Sequence, residues 1–313
     1  MVRETCGRCG RDLGDAREGT YYCENCYKLL SRTGSGGLWA ATLAVLSVLF
    51  LGGAGLALLA PTFGSEISGG WRLLLGLVLT LIPALLWLFF FYSQDQLEPE
   101  PHSYVVSIFV LGLLLGGAVE QPLLREVFEV QRWVQVGSMT HLLSSTFLSG
   151  ILTAALTYLA VRFTVMPTSE FDERVDGIIY GTAAALGLGV AANLTYLMEV
   201  GTISLGVGTL HIVVTSLAYA TFGGVVGYFL GLIKPGGGPD WLAPLGVLVA
   251  GMLHGLYEWM DAQLGTGGLG YNPWPSLIAT TVFAGLIFGL IFYLLRRAYQ
   301  EMLLRVPPER TGA

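Results

Sequence analysis

The chain has 313 residues, of which 53% are hydrophobic and 12% charged, and its mean hydropathy is +0.64. A soluble domain carries roughly twice that charged fraction, so the composition excludes an ordinary soluble enzyme and indicates a membrane protein. The net charge of −6 is small and dispersed, and the 16 basic residues form no dense patch. We therefore expect no nucleic acid partner.

Two Cys-x-x-Cys pairs near the start of the chain hold all four of its cysteines. Cys6 and Cys9 form the first pair, Cys23 and Cys26 form the second, and thirteen residues lie between the pairs. Each two-residue gap lets a tight turn aim two thiolates at one tetrahedral ion, so we predict a structural zinc ribbon over residues 1–30. Two disulfides or redox-active pairs are the alternative, which a reducing cytoplasm disfavours.

Apolar segments of about 20 residues follow a Ser/Gly linker at 31–37 and recur almost to the end of the chain. They predict an all-α, multi-spanning helical membrane domain over residues 38–296, with about eight transmembrane helices, and a C-terminal tail at 297–313. The first 37 residues lack the apolar core of a secretory signal, so the first span is expected to act as an uncleaved insertion signal. The predicted spans are 38–60, 71–93, 103–121, 141–163, 176–199, 205–233, 241–261 and 275–295.

The segment from Leu123 to Gly137 mixes charged and aromatic residues and predicts a helix that lies on the membrane surface. In an eight-span arrangement, thirteen of the 16 basic residues fall on the face that carries both termini, and three fall on the other. By the positive-inside rule, both termini are predicted to be cytoplasmic in a protein of the plasma membrane.

Ionisable residues at membrane depth are candidates for function because they are costly there. His254 and Glu258 lie four residues apart on one face of the seventh span. With His211 from the sixth span they would form a candidate catalytic set of two histidines and one carboxylate, able to hold a second metal ion. The alternatives are a His211 hydrogen-bonded to a neighbouring helix and a Glu258 that, with Asp261, marks the outer end of its helix.

Three other ionisable residues have simpler expected roles. Asp176 opens the fifth span, where the helix dipole favours an acidic residue without any catalytic task. Glu120 precedes Gln121-Pro122 at a helix end and is expected to be solvated. His141 begins the fourth span, where an interfacial histidine is ordinary.

Several motifs follow one another in a recognisable order. They are Asp95-Gln-Leu-Glu98-Pro99-Glu100-Pro101, Asp176-Gly177-Ile-Ile-Tyr180-Gly181, Gly187-Leu-Gly189 with Asn193 and Tyr196, then His211 and His254-Gly255. Between about residues 90 and 260 the chain resembles the PrsW family of intramembrane proteases, related to the CPBP (Abi) superfamily. The resemblance implies family-motif roles for Glu98, Glu100, Asp176, Asn193 and Tyr196. It also implies a glutamate- and histidine-based site that cleaves membrane-anchored proteins such as anti-sigma factors.

The chain departs from that pattern where the chemistry is concentrated. The family's E-E-x-x-K helix falls by spacing on Ser149–Thr153, and its Glu-Asn pair falls on Ala192-Asn193, so three glutamates are missing. Hydrolysis needs a group that activates water. We therefore expect reduced or lost peptidase activity and a partner-binding role with the ribbon as docking element.

Two other functions stay open. The first is an active intramembrane metalloprotease in which Glu258 serves as a relocated carboxylate. The second is a transporter or channel. Transporters usually have broken helices at corresponding positions in two related halves of the chain. Pro83 and Pro244 have no such counterparts in this sequence, so this function ranks last.

Overall fold

The computed structural model describes residues 71–93, 100–199, 207–234, 237–265 and 274–303. The predicted zinc ribbon with its four cysteines, the linker, the first predicted span and Glu98 all lie outside the described residues. The described part is thus the membrane domain from its second predicted span onward.

Every regular element in these described ranges is helical, which confirms an all-α, multi-spanning membrane fold. Six helical stretches there are long and apolar enough to cross a membrane. The seventh predicted span is also a helix of 24 residues, though its second half is more polar than those six. The α-helices are α1 (Trp71–Tyr92), α2 (His102–Leu115), α3 (Val130–Val136), α4 (Ser138–Ser144), α5 (Ile151–Thr164), α6 (Arg174–Glu199), α7 (Val207–Ile233), α8 (Leu242–Gly265) and α9 (Trp274–Leu303), and π-helical turns occupy Gly116–Glu120, Leu123–Val127 and Ser145–Gly150.

The segment predicted to lie on the membrane surface is helical but broken. A π-helical turn, Leu123–Val127, is followed by the short helix α3. Glu129 separates them in a left-handed conformation with φ of 48°. The apolar side chains of Val127, Trp133 and Val136 are exposed. The apolar helical stretch that begins at His102 runs to Val127, so the membrane-surface placement stays a prediction for the residues after it.

Helices α6 and α7 form the centre of the bundle. The most apolar stretches of these two helices are 94% and 89% buried, against 33% for α9. Glycines allow their backbones to touch: a Cβ built on Gly227 would lie 1.8 Å from the carbonyl oxygen of Gly177, and one on Gly181 would lie 2.4 Å from that of Gly223. Lipid is as apolar as a leucine side chain, so helices in a bilayer associate through such close packing of small residues.

Candidate active site

His254 and Glu258 meet on α8, as their spacing predicts. His254 Nε2 lies 3.4 Å from Glu258 Oε1, and the imidazole is only 3% exposed. Aromatic rings from α7 surround it: Tyr219 approaches edge-on with its centroid 4.8 Å away, and Phe222 lies at 5.5 Å. The imidazole is therefore held in one position between its carboxylate partner and two aromatic side chains.

Glu120 is part of the same region, and the expectation that it is solvated was wrong. The chain stays helical beyond α2 through the π-helical turn Gly116–Glu120, which turns this carboxyl group into the bundle and leaves it 0% exposed. Thr153 Oγ1 donates a hydrogen bond to Glu120 Oε1, while Oε2 has no hydrogen-bond partner among the described atoms. Charge–charge interaction links Glu120 to both His254 and Glu258.

A small cavity lies beside these groups, with room for about one water molecule. Its polar lining comes from Thr153, Thr157, Tyr219 and His254, and apolar residues of α5 to α8 complete it. Tyr219 was not among the predicted site residues. The cavity is large enough for water but not for a peptide segment in this conformation.

His211 belongs to a separate polar cluster. Its Nδ1 lies 3.7 Å from Asp261 Oδ2, too far for a hydrogen bond, and its Nε2 lies 3.4 Å from Thr215 Oγ1. The ring packs on Tyr196 with centroids 4.5 Å apart. Thr215 Oγ1 in turn lies 3.2 Å from the hydroxyl of Tyr257. The structure therefore pairs His211 with Asp261 and His254 with Glu258, instead of joining both histidines to one carboxylate.

His211 does not join His254 and Glu258 in this structure, because the nearest carboxylate to it is Asp261. Within the described ranges, no three or more His, Cys, Asp or Glu side chains are grouped so that they could hold a metal. His141 and Asn193 are both buried, and Asn193 Nδ2 lies 3.4 Å from Ser216 Oγ on α7. A second metal at this site stays an untested prediction.

Next to His254, glycines on α8 let the segment before α5 pack against the backbone of that helix. Gly150, at the end of the π-helical turn Ser145–Gly150, packs directly on α8. A Cβ on Gly150 would lie 2.1 Å from the carbonyl oxygen of Gly251 and 3.0 Å from the amide nitrogen of Gly255. A Cβ on Gly255 would in turn lie 2.3 Å from the Cα of Thr146. No side chain fits at Gly150 without separating the two helices.

A second carboxyl cluster lies at the other end of the bundle. Tyr180 donates a hydrogen bond to Glu100 Oε2, and the Tyr92 hydroxyl donates to the Glu100 carbonyl oxygen at 2.9 Å. Asp176 Oδ2 accepts backbone N–H groups of Asp172 and Glu173 at 3.0 and 2.6 Å. Asp176 thus receives amide donors at the start of α6, in the helix-initiating position expected for it.

Comparison of the sequence with known proteins assigns the chain to a family. A sequence model described as the PrsW family intramembrane metalloprotease matches residues 100–295, nearly two thirds of the chain. The chain belongs to the PrsW family. The match confirms the resemblance read from the motifs and continues past their last member into α9.

Curated relatives agree with this assignment. Protease PrsW of Bacillus subtilis is 30% identical over 192 residues, which cover 59% of this chain and 81% of that protein. Protease PrsW of Oceanobacillus iheyensis is 24% identical over 225 residues, which cover 72% of this chain and 96% of that protein. No solved structure matches the chain.

Helical geometry explains why sequence reasoning on this PrsW-family chain chose His211 and missed Tyr219. The two residues are eight positions apart on α7, a rotation of about 80° beyond two full turns. Tyr219 faces α8 at His254, whereas His211 faces Tyr196 and Asp261. The hydroxyl side chains of Thr215, Ser216, Tyr219 and Thr221 were the available signal for a polar face on this helix.

Proposed function

We propose that this chain is a PrsW-family protein with reduced or lost peptidase activity that binds membrane-anchored proteins. The observation that carries the proposal is the closed contact between Gly150 and α8. By the spacing of the resemblance, Ser149 and Gly150 stand where the family pattern has its two adjacent glutamates. At Gly150 even a methyl group meets the α8 backbone, so the position has no room for a carboxylate.

The groups that remain near His254 support the same proposal. Peptide hydrolysis requires a base or a metal-bound water that activates the nucleophile, together with a group that stabilises the oxyanion. A metal would supply Lewis acidity, but the described donors around His254 do not group to hold one. Glu120 and Glu258 are the nearby carboxylates, and Glu120 already accepts a hydrogen bond from Thr153.

We expect no cleavage when the purified full chain is reconstituted with single-span anti-sigma factors, under conditions in which the Bacillus subtilis relative is tested in parallel. Co-purification should nevertheless recover substrate-like proteins with the chain. Matched His254→Ala and His211→Ala variants provide the control. Cleavage by the unaltered chain that either substitution abolishes would overturn the proposal.

The N-terminal module is proposed to be the docking element, folded around one zinc ion. Its apolar content is too small to fold without metal, so metal binding and folding should be coupled. We expect one equivalent of zinc per chain by elemental analysis. A variant with Cys6, Cys9, Cys23 and Cys26 all changed to serine should lose that zinc while its helical circular dichroism is retained.

Two zinc results would count against this assignment. Zinc that remains bound after the four serine substitutions would place a metal in the membrane domain. A fragment of residues 1–36 that folds without metal would remove the zinc ribbon. The basic-residue bias supports cytoplasmic placement of both termini, and with them of this module.

An active peptidase with a relocated carboxylate is the second candidate. The contact between His254 and Glu258 favours it. If cleavage is found, Glu258→Gln and Glu120→Gln identify the carboxylate responsible. A rate that neither substitution lowers removes this candidate.

A further inference from the structure

Glu100 and Asp176 form a pair of buried carboxyl groups at the end of the bundle away from the His254 site. Glu100 precedes α2 and is 4% exposed, while Asp176 lies in the first turn of α6 and is 0% exposed. Tyr180, one turn after Asp176 on α6, donates a hydrogen bond to the Glu100 carboxyl group, which brings Glu100 to the face of α6 that carries Asp176. The pair therefore joins the segment entering α2 to the start of the most buried helix in the bundle.

Among the described atoms, one oxygen of Asp176 receives no hydrogen bond from the donors around the pair. Tyr180 donates to Glu100 Oε2, and the amides of Asp172 and Glu173 donate to Asp176 Oδ2. Asp176 Oδ1 is buried and receives no hydrogen bond from the described atoms. Two ionised carboxylates are both acceptors and cannot satisfy each other, but one proton between them supplies the missing O–H donor.

The neighbouring carboxylates favour that proton. Glu170 and Asp172 act on Glu100 with like charge, and Glu173 does so on Asp176. Lys234, the residue after α7, donates a hydrogen bond from Nζ to the Thr168 carbonyl oxygen and lies over the ring of Phe171. From α1, the Tyr92 hydroxyl donates to the Glu100 carbonyl oxygen.

We propose that Glu100 and Asp176 bind one shared proton and that this proton closes the carboxyl pair into a clasp between the start of α2 and the start of α6. The clasp rests on contacts independent of the His254 site, so it stands whether or not the chain cleaves peptides. Loss of the proton leaves two buried negative charges facing each other, and the clasp opens by repulsion.

The expected pH dependence follows from the burial of Glu100. Burial raises the pKa of its carboxyl group above the ordinary value of 4.5. A carboxyl group with a raised folded-state pKa holds its proton more tightly in the folded chain than in the unfolded chain. The stabilisation is thus complete below about pH 4.5 and is lost as the pH rises through the folded-state pKa.

Single amide substitutions test the proposal because an amide imitates the protonated carboxyl group. In Asp176→Asn, the side-chain oxygen can still accept the two backbone N–H groups, and its NH₂ group can donate to Glu100 at any pH. In Glu100→Gln, the oxygen accepts from Tyr180 and the NH₂ group donates to Asp176. Both variants retain the packing volume, so both are expected to fold.

The measurement is the Tm of the purified full chain between pH 5 and pH 9. We expect Tm of the unaltered chain to fall by several degrees as the pH rises. Both amide variants should flatten this slope, while Asp240→Asn, which alters an exposed carboxylate, should retain it. Equal slopes in the unaltered chain and in Asp176→Asn would overturn the clasp.

Infrared spectroscopy gives an independent readout on the folded protein. The unaltered chain at neutral pH should show the C=O stretch of a protonated carboxylic acid, and Asp176→Asn should reduce it. Absence of such a difference contradicts a shared proton. A Tm that rises at pH 8 on addition of Mg²⁺ or Ca²⁺ and falls again with chelator would show that the pair binds a cation instead, which also overturns the proposal.

Discussion

Replacing Gly227 by alanine is expected to destabilise the membrane domain by about 3 kcal/mol or more, at the upper end of the cost of overpacking a core. The new Cβ would lie 1.8 Å from the Gly177 carbonyl oxygen, 2.5 Å from its carbonyl carbon and 3.0 Å from the Cα of Ile178. These are all backbone atoms, so no side-chain rotation relieves the clash. The two central helices must separate, and the contacts of α6 with its other neighbours weaken with them.

Unfolding of the detergent-solubilised protein by a denaturing detergent measures this cost. Gly289→Ala is the matched control, because a Cβ at that position in α9 meets nothing within 4 Å. The control should stay within about 1 kcal/mol of the unaltered chain, since alanine is at least as favourable as glycine in a helix. A Gly227→Ala variant as stable as this control would show that α6 and α7 are not packed through their glycines.

Thr153→Lys is expected to be tolerated only while Glu120 remains acidic. Thr153 contacts the Glu120 carboxyl group directly, and by spacing it falls where the family pattern has its lysine. A lysine there would pair with a carboxylate that is 0% exposed. Removing the acid from this pair leaves an uncompensated buried charge, which costs about 3–5 kcal/mol.

A double-mutant cycle isolates this coupling. Glu120→Gln alone should have a small effect, because the amide oxygen can still accept the Thr153 hydrogen bond. Thr153→Lys combined with Glu120→Gln should be less stable than the sum of the two single changes. Thr182→Lys provides the comparison, since Thr182 is equally buried but donates to the Ala220 carbonyl oxygen instead of a carboxylate. Additive effects at Thr153 would exclude the contact with Glu120.

Distances along a single helix could be predicted from the sequence, and relations between helices could not. The contact of His254 with Glu258 follows from the 3.6-residue turn alone. The spans follow from hydropathy, which is why the described helices coincide with the predictions. Both results depend on local geometry that every α-helix shares.

The rotation of one helix against another depends on packing that hydropathy does not contain. Gly150, Gly251 and Gly255 fix how the chain before α5 lies on α8, and nothing in their apolar context marks them as contacts. The burial of Glu120 depends on the π-helical turn Gly116–Glu120, which turns its carboxyl group into the bundle. The separation of His211 from His254 follows from the same cause, since it depends on which face of α7 meets α8.

The deep burial of α6 and α7 divides the chain by its tolerance of sequence change. A new apolar side chain on α2 or α9 mostly replaces one lipid-facing hydrocarbon with another, at little cost. On α6 a larger or smaller side chain changes the packing against neighbouring helices, because nearly all of its most apolar stretch is buried. We therefore expect the lipid-facing positions of the outer helices to accept more substitutions than the inner pair, where facing positions must change together.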